Sequence, residues 1–238
     1  MGTLDTLLPS DTERWRYENL LLTLTAWRAL FSGRRVLDYG ASWGISAVAL
    51  INAGAREVVG VEPDLARVEK GRTLVREAAP GANISLVHTP DTAALAFADG
   101  EFGFVLTNGV LEHIPQPRDV YIRELWRLVA SGGHLMVTET PNSYWPKDTH
   151  TTGLWFNHWL PREVAYRRAV RRGRFRATRD DWATSGWRGM GYRELVRPIT
   201  GYRLVSDNTR LRHRLLATIG LPASLVDPDP IWILRKES

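Results

Sequence analysis

Three acidic residues stand where a hydrophobic run stops: Asp38 after Val36-Leu37, Glu62 after Val58-Val59-Gly60-Val61, and Asp91 in the loop after Ile84 to His88. The first leads a glycine turn, Asp38-Tyr39-Gly40-Ala41-Ser42-Trp43-Gly44, with the spacing D-x-G-x-x-x-G. Acids at successive strand ends can accept from the donor groups of a nucleoside. Glu62, followed by Pro63, can take both ribose hydroxyls. Asp91, followed by Thr92, can take an exocyclic amine while a neighbouring backbone N–H reaches a ring nitrogen. Asp38 either orders the glycine loop or accepts from a cationic part of the ligand. A tight turn before any buried helix would also use glycine, so the turn gains meaning only with the other two acids. An acid on the second strand is shared with nicotinamide enzymes, but their fingerprint is G-x-G-x-x-G over a pyrophosphate. A leading carboxylate suits a ligand with an amino group better than a diphosphate, and the oxidoreductase reading stays only as an alternative.

Histidines supply the second kind of chemistry, removal of a proton from a nucleophile. His113 directly follows the fourth apolar run, and His150 and His158 fall in a tryptophan-rich loop after the fifth. Each also has an ordinary reading, His113 as a loop cap and the other two as surface residues. No metal-ligand set is read from the sequence, and with no cysteine the chain has no thiolate metal site, disulfide or cysteine nucleophile.

These residues need elements to hold them. Ser10 with Glu13 forms a capping-box pattern for a helix over 10–31, with Trp15, Leu20, Leu24, Trp27 and Phe31 on its apolar face. Strands are expected at Arg34 to Tyr39, Glu57 to Glu62, Ile84 to His88, Phe102 to Thr107 and Leu135 to Thr138, and a last one at Ile231 to Leu234. Helices fit between them: Trp43 to Ala53, Pro63-Asp64 to about Ala79, and Arg118 to Val129 with Val120, Leu125 and Leu128 inward and Ser131-Gly132-Gly133 as its end. Alternation of this kind predicts an α/β, doubly wound, mostly parallel sheet with its ligand at the strands' carboxyl ends. After Thr140 the periodicity weakens. A helix is expected from Pro161, and the stretch from Asp180 to Asp229 has mixed character.

The chain has 238 residues, 44% hydrophobic, enough for one α/β domain with an elaboration. No run of eighteen apolar residues and no secretory pattern is present, so a cytoplasmic protein is the expectation. The net charge of +5 is local, because 162–179 holds eight arginines and one acid while the remainder carries −2. That cluster is read first as a solvated helix face, with anionic small molecules, lipid headgroups or RNA phosphate as other partners. Six of the ten tryptophans follow residue 140: Trp145, Trp155, Trp159, Trp182, Trp187 and Trp232. Trp232 reads as core. Trp145, Trp155 and Trp159 offer faces for a sugar ring or a flat aromatic.

The ordered segments VLDYGASWG, VVGVEPD, HTPDTAALAF, FGFVLTNGVLEHIPQP and ELWRLVASGGHLMVTETPN resemble the class I S-adenosylmethionine-dependent methyltransferases (type 11/12-like) over about residues 34–142. The resemblance implies a Rossmann-like, seven-stranded methyltransferase sheet and S-adenosyl-L-methionine as cofactor. By it, Asp38, Gly40, Ala41, Ser42 and Gly44 hold the methionine part, Glu62 and Pro63 the ribose, and Asp91-Thr92 the adenine. Asn108 and Val110-Leu111-Glu112-His113 would line the floor near the transferred methyl, with His113, and after it His150 and His158, as candidate bases. Residues 1–33 would form a helical cover, 34–142 the donor-binding core, and 143–238 an acceptor-binding lid plus the final strands. Ser42 replaces a frequent glycine, tolerable at negative φ, and Gly103 replaces a frequent acid.

Several acceptors are disfavoured. Cytosine C5 methylation needs a cysteine. Amino methylation of bases uses an Asn/Asp-Pro-Pro-aromatic motif, where this chain has Asn108-Gly109-Val110-Leu111. A lysine-tetrad ribose methyltransferase needs lysines, and only Lys147 is at hand. Transfer to oxygen of a sugar, glycan or natural product is the leading expectation. A noncatalytic or RNA-directed cofactor-binding protein is the alternative.

Overall fold

The computed structural model describes residues 8, 10–114, 116–175, 182, 189–206 and 227–237. Trp187, Arg176, Arg179 and most of the 180–229 stretch lie outside the described residues. Ser10 starts the first helix as its pattern predicts, its hydroxyl accepting the Glu13 backbone N–H at 3.3 Å. Helix α1 covers Asp11–Ala26, and a 3-10 turn, Arg28–Leu30, takes up the end of the expected segment. Leu20, Leu24 and Phe31 are buried, but Trp15 is 62% exposed. Five residues before Leu20, at about 100° per residue, it points well round the helix from that stripe.

Seven strands make one sheet: β1 (Arg35–Tyr39), β2 (Glu57–Glu62), β3 (Ile84–His88), β4 (Phe102–Asn108), β5 (Val129–Thr138), β6 (Tyr202–Ser206) and β7 (Trp232–Lys236). Their order is β3-β2-β1-β4-β5-β7-β6. β1 pairs parallel with β2, and β2 with β3, while β6 and β7 are antiparallel. Continuous apolar runs are what a sheet covered on both faces requires, and Val36, Leu37, Val58, Val61, Phe104, Val105 and Leu106 are accordingly buried. The winding reverses between β1 and β4, the place where open α/β sheets take ligands.

Helices α2 (Ile45–Asn52), α3 (Leu65–Ala78) and α4 (Asp119–Leu128) follow β1, β2 and β4. In α4, Leu125 and Leu128 are buried as expected, but Val120 is 42% exposed. β5 begins six residues earlier than Leu135 because Gly132 and Gly133 do not stop the chain. A Cβ on Gly133 would stand 2.9 Å from the Gly103 carbonyl of β4, so its absence lets the two strands approach. Gly103 is itself crowded: a Cβ there would meet Arg34 Cδ at 2.8 Å, and an acid in this position would have to displace that side chain.

Two compact units can be drawn, one from 1–106 and 124–135, the other from 107–123 and 136–237. In the second, helices α5 (Arg162–Arg171) and α6 (Tyr192–Val196) precede the β6–β7 pair. Ala165 and Ala169 on α5 pack with Phe175 and Trp182. Among its arginines, Arg167 pairs with Glu163 at 2.7 Å and Arg168 donates to the Trp155 carbonyl at 2.7 Å. Trp232 is fully buried. No helix among the described residues is long and apolar enough to cross a membrane.

Candidate active site

The acids of the first unit sit at the strand ends where the apolar runs place them. Asp38 is 1% exposed and Glu62 5%. Glu62 organises the turn: its Oε2 accepts the Ser42 backbone N–H at 3.0 Å and its Oε1 that of Asp64 at 3.2 Å. Gly40 and Ala41 donate their N–H groups to the Val61 carbonyl at 2.9 and 3.0 Å. The turn after β1 is thereby fastened to the end of β2. Gly40 and Gly44 both have φ near +80°, and Gly44 caps α2 in that conformation.

Ser42 departs from expectation. Its φ is +48°, in the left-handed region rather than the negative range, because its N–H must turn inward to reach Glu62. A non-glycine residue pays about 1 kcal/mol for this conformation. Ser42→Gly should therefore raise the stability of the free protein by about 0.5–1 kcal/mol, read as a higher urea midpoint at unchanged m-value.

The Ser46 hydroxyl donates to Asp38 Oδ2 at 2.6 Å. Burial pushes the Asp38 carboxyl up to about 7, the Ser46 bond opposes this, and the negative Glu62 adds to it. No cation among the described residues offsets this carboxylate pair. An ammonium or sulfonium is the kind of group that would, whereas a diphosphate would add to the repulsion. The residues present thus fit S-adenosylmethionine, and Glu62 keeps a second lone pair on each oxygen for ribose hydroxyls.

Asp91 is exposed. Its Oδ1 accepts the Ala93 N–H at 2.9 Å, leaving Oδ2 for an amine. The Tyr39 hydroxyl donates to the Thr92 carbonyl at 3.0 Å, tying the end of β1 to this loop. Pro63 presents its carbonyl 3.0 Å from His88 Nε2. Neither Tyr39 nor Ser46 was singled out from sequence. Ser46 lies eight residues after Asp38, one turn into the helix that the glycine turn starts, and that spacing was its only signal.

In the second unit, Asn108 ends β4. Its Oδ1 accepts from Thr138 Oγ1 at 2.7 Å and its Nδ2 donates to Glu139 Oε2 at 3.3 Å. Gly109, at φ +63°, turns the chain into a 3-10 segment, Leu111–His113. Glu112 points inward, 1% exposed, its Oε2 accepting from Thr140 Oγ1 at 3.1 Å. Burial pushes its carboxyl up to about 7 against the Thr140 bond and the Arg118 charge. His113 Nε2 lies 3.7 Å from Glu112 Oε1, and the His113 and His150 rings are 5.3 Å apart between centroids. Of the three candidate bases, the structure brings His113 and His150 together. His158 instead sits in the turn Asn157–Trp159, its ring against Trp159 at 5.9 Å.

His150 is presented by a turn built on Asp148, 9% exposed. Asp148 accepts from Thr151 N at 2.9 Å, Thr152 N at 3.1 Å and Thr152 Oγ1 at 2.7 Å. An acid followed by threonines three and four positions on was the available sign of this turn. Beyond it, Trp155, Phe156 and Trp159 form an exposed aromatic row with centroid spacings of 6.2 and 5.2 Å. Asn142, 3% exposed, anchors the start of the loop by donating to the Asp227 carbonyl at 2.8 Å. A separate cavity of about 520 Å³ is lined by Arg118, Tyr144 and Arg197 among others. It is braced by ion pairs of Arg118 with Glu194 at 2.9 Å and Arg197 with Asp119 at 2.7 Å.

Comparison with known proteins bears on this arrangement. A family profile described as a methyltransferase domain matches residues 12–180. An uncharacterized methyltransferase of Mycobacterium leprae is 34% identical over 151 residues, 62% of this chain and 51% of that protein. The chain thus spans about half the length of that mycobacterial relative. A ubiquinone biosynthesis O-methyltransferase of Bordetella avium is 29% identical over 203 residues, covering 78% of this chain and 75% of its own. The crystal structure of magnesium protoporphyrin IX methyltransferase from Synechocystis, with bound SAH, superposes with a TM-score of 0.59 at 16% identity, over 94% of this chain and 83% of that one.

Proposed function

Since this chain belongs to the methyltransferase-domain family, we propose that it moves the methyl group of S-adenosylmethionine onto a hydroxyl of a small organic molecule. The observation that carries the reading is the buried Asp38–Glu62 pair, two carboxylates at adjacent strand ends whose charge asks for a cationic ligand. Bound there, S-adenosylmethionine supplies a methyl on a sulfonium, open to in-line displacement. Asp38 faces the cationic end, Glu62 accepts from the ribose hydroxyls, and Asp91 with Thr92 receives the adenine edge. Gly40, Ala41, Ser42 and Gly44 shape the turn around the methionine part, and Pro63 completes the contacts within that unit. On the acceptor side His113, with His150 beside it, takes the hydroxyl proton. One C–O bond forms, one C–S bond breaks with its electron pair left on sulfur, and the proton ends on an imidazole.

Oxygen as the receiving atom draws support from the ubiquinone biosynthesis O-methyltransferases among the relatives. A sugar, glycan or aromatic natural product is favoured by the exposed Trp155–Phe156–Trp159 row, whose faces suit flat or ring-shaped ligands. In this reading 34–142 carries donor binding and 143–238 acceptor recognition. The RNA-directed alternative draws less, because Arg167 and Arg168 of α5 are already committed to Glu163 and the Trp155 carbonyl. Transfer of isotope-labelled methyl to a panel of sugars, phenolics, lipids and RNA tests the proposal. Label is expected in a small hydroxyl compound, and His113→Ala should lower kcat by about 100-fold with a smaller change in KM. Label confined to RNA, or absent altogether, would overturn it.

A further inference from the structure

We propose that Glu112, His113 and His150 form a binding site for one divalent transition-metal ion. Their ligand atoms all lie within 4.8 Å of one another. One pair, Glu112 Oε1 and His113 Nε2, is 3.7 Å apart. Donors around an ion with bonds of about 2.1 Å stand about 3.4 Å from each other in tetrahedral geometry. The first pair is within a few tenths of that. The His113 side chain is 48% exposed and His150 is also exposed, so both rings have room to close the remaining gap.

The three groups come from two separately built pieces of one compact unit. Glu112 and His113 ride on the 3-10 segment that Gly109 starts, its N–H bound to the Thr138 carbonyl at 2.9 Å. His150 rides on the Asp148 turn. Thr140 Oγ1 occupies Glu112 Oε2 and so orients Oε1 toward His113, the kind of hydrogen bond that holds a ligating carboxylate in place. A carboxylate that is 1% exposed, with a ring nitrogen of each of two exposed imidazoles within 4.8 Å, is an unusual arrangement for a solvated surface.

Two nitrogen donors and one oxygen select among ions. Zn²⁺, Mn²⁺, Fe²⁺ and Co²⁺ accept such a set, whereas Mg²⁺ and Ca²⁺ prefer oxygen throughout. Three protein ligands leave at least one position open. If the methyl-transfer reading holds, that open position lies on the acceptor side, where an ion would orient a hydroxyl and ease loss of its proton. With the ion bound, His113 would be a ligand in place of a base, and the proton that the ion-free site passes to an imidazole would go to solvent.

The test uses the full chain, stripped with chelator and titrated with Zn²⁺ by calorimetry and with Co²⁺ by visible absorption. One ion per chain is expected, with cobalt d–d bands of a nitrogen–oxygen site. Glu112→Gln and His150→Ala should each weaken binding at least tenfold, while His88→Ala, in the other unit, should not. Absence of cobalt bands, or binding that survives both Glu112→Gln and His150→Ala, would overturn the site. Circular dichroism of the two variants shows that any loss is not unfolding. Ion uptake by a chain that methylates no acceptor would sink the functional reading and leave the site. Methyl transfer by a chain that takes up no ion would do the reverse.

Discussion

Replacing Glu62 with alanine should weaken S-adenosylmethionine binding by about 100-fold or more. Two hydrogen bonds from ribose hydroxyls to a carboxylate are each worth about 1.5–3 kcal/mol, and their joint loss spans at least that factor. The substitution also removes the acceptor for the Ser42 and Asp64 backbone N–H groups, so the free protein should lose about 1–2 kcal/mol as well. Titration calorimetry measures the first effect and denaturant midpoints the second. Glu62→Gln keeps one acceptor oxygen and should fall between wild type and alanine in both. Equal affinity for wild type and Glu62→Ala would remove the ribose contact from the reading.

The second large effect is a pH dependence. Asp38 is raised from 3.8 to about 7, first by burial, with the Ser46 hydrogen bond opposing and the Glu62 charge adding. In the free protein its raised value means that the folded state still holds a proton which the unfolded chain has released. That contribution to stability is complete below about 4 and is lost as pH rises to about 7. A cationic donor favours the ionised carboxylate, so binding runs the other way. Affinity should be greatest above about pH 7 and fall by up to tenfold per unit as pH drops below it. Asp38→Asn should bind weakly with a nearly flat profile between pH 5 and 8. Parallel profiles for wild type and variant would show that Asp38 does not meet the cationic part of the ligand.

The part proposed to bind the donor was legible where its residues follow local rules. β2 and β3 have the bounds their apolar runs predicted, and the acids at 38, 62 and 91 follow directly from where those runs stop. One exception within that part was Ser42, whose positive φ arises from a hydrogen bond to a residue twenty positions away. The part proposed to recognise the acceptor was less legible for the same reason on a larger scale. Glu112 and His113 lie 37 or more residues from His150, and nothing in spacing alone selects that partner over His158. Strand β6, Tyr202–Ser206, has only Ser206 buried and gains its definition from antiparallel pairing with β7, more than twenty residues later. Residues whose conformation is set by distant partners carry little trace of it in their own neighbourhood.

The two backbone N–H groups held by Glu62 have a kinetic and entropic consequence. The turn proposed to receive the methionine part is already tied in the free protein, so a ligand arriving there need not pay to order it. What the free protein carries instead is a buried carboxyl that holds its proton up to about pH 7, and a cation proposed to bind beside it would favour the ionised form. Binding of this type would exchange a proton for a cation at a turn that is already tied.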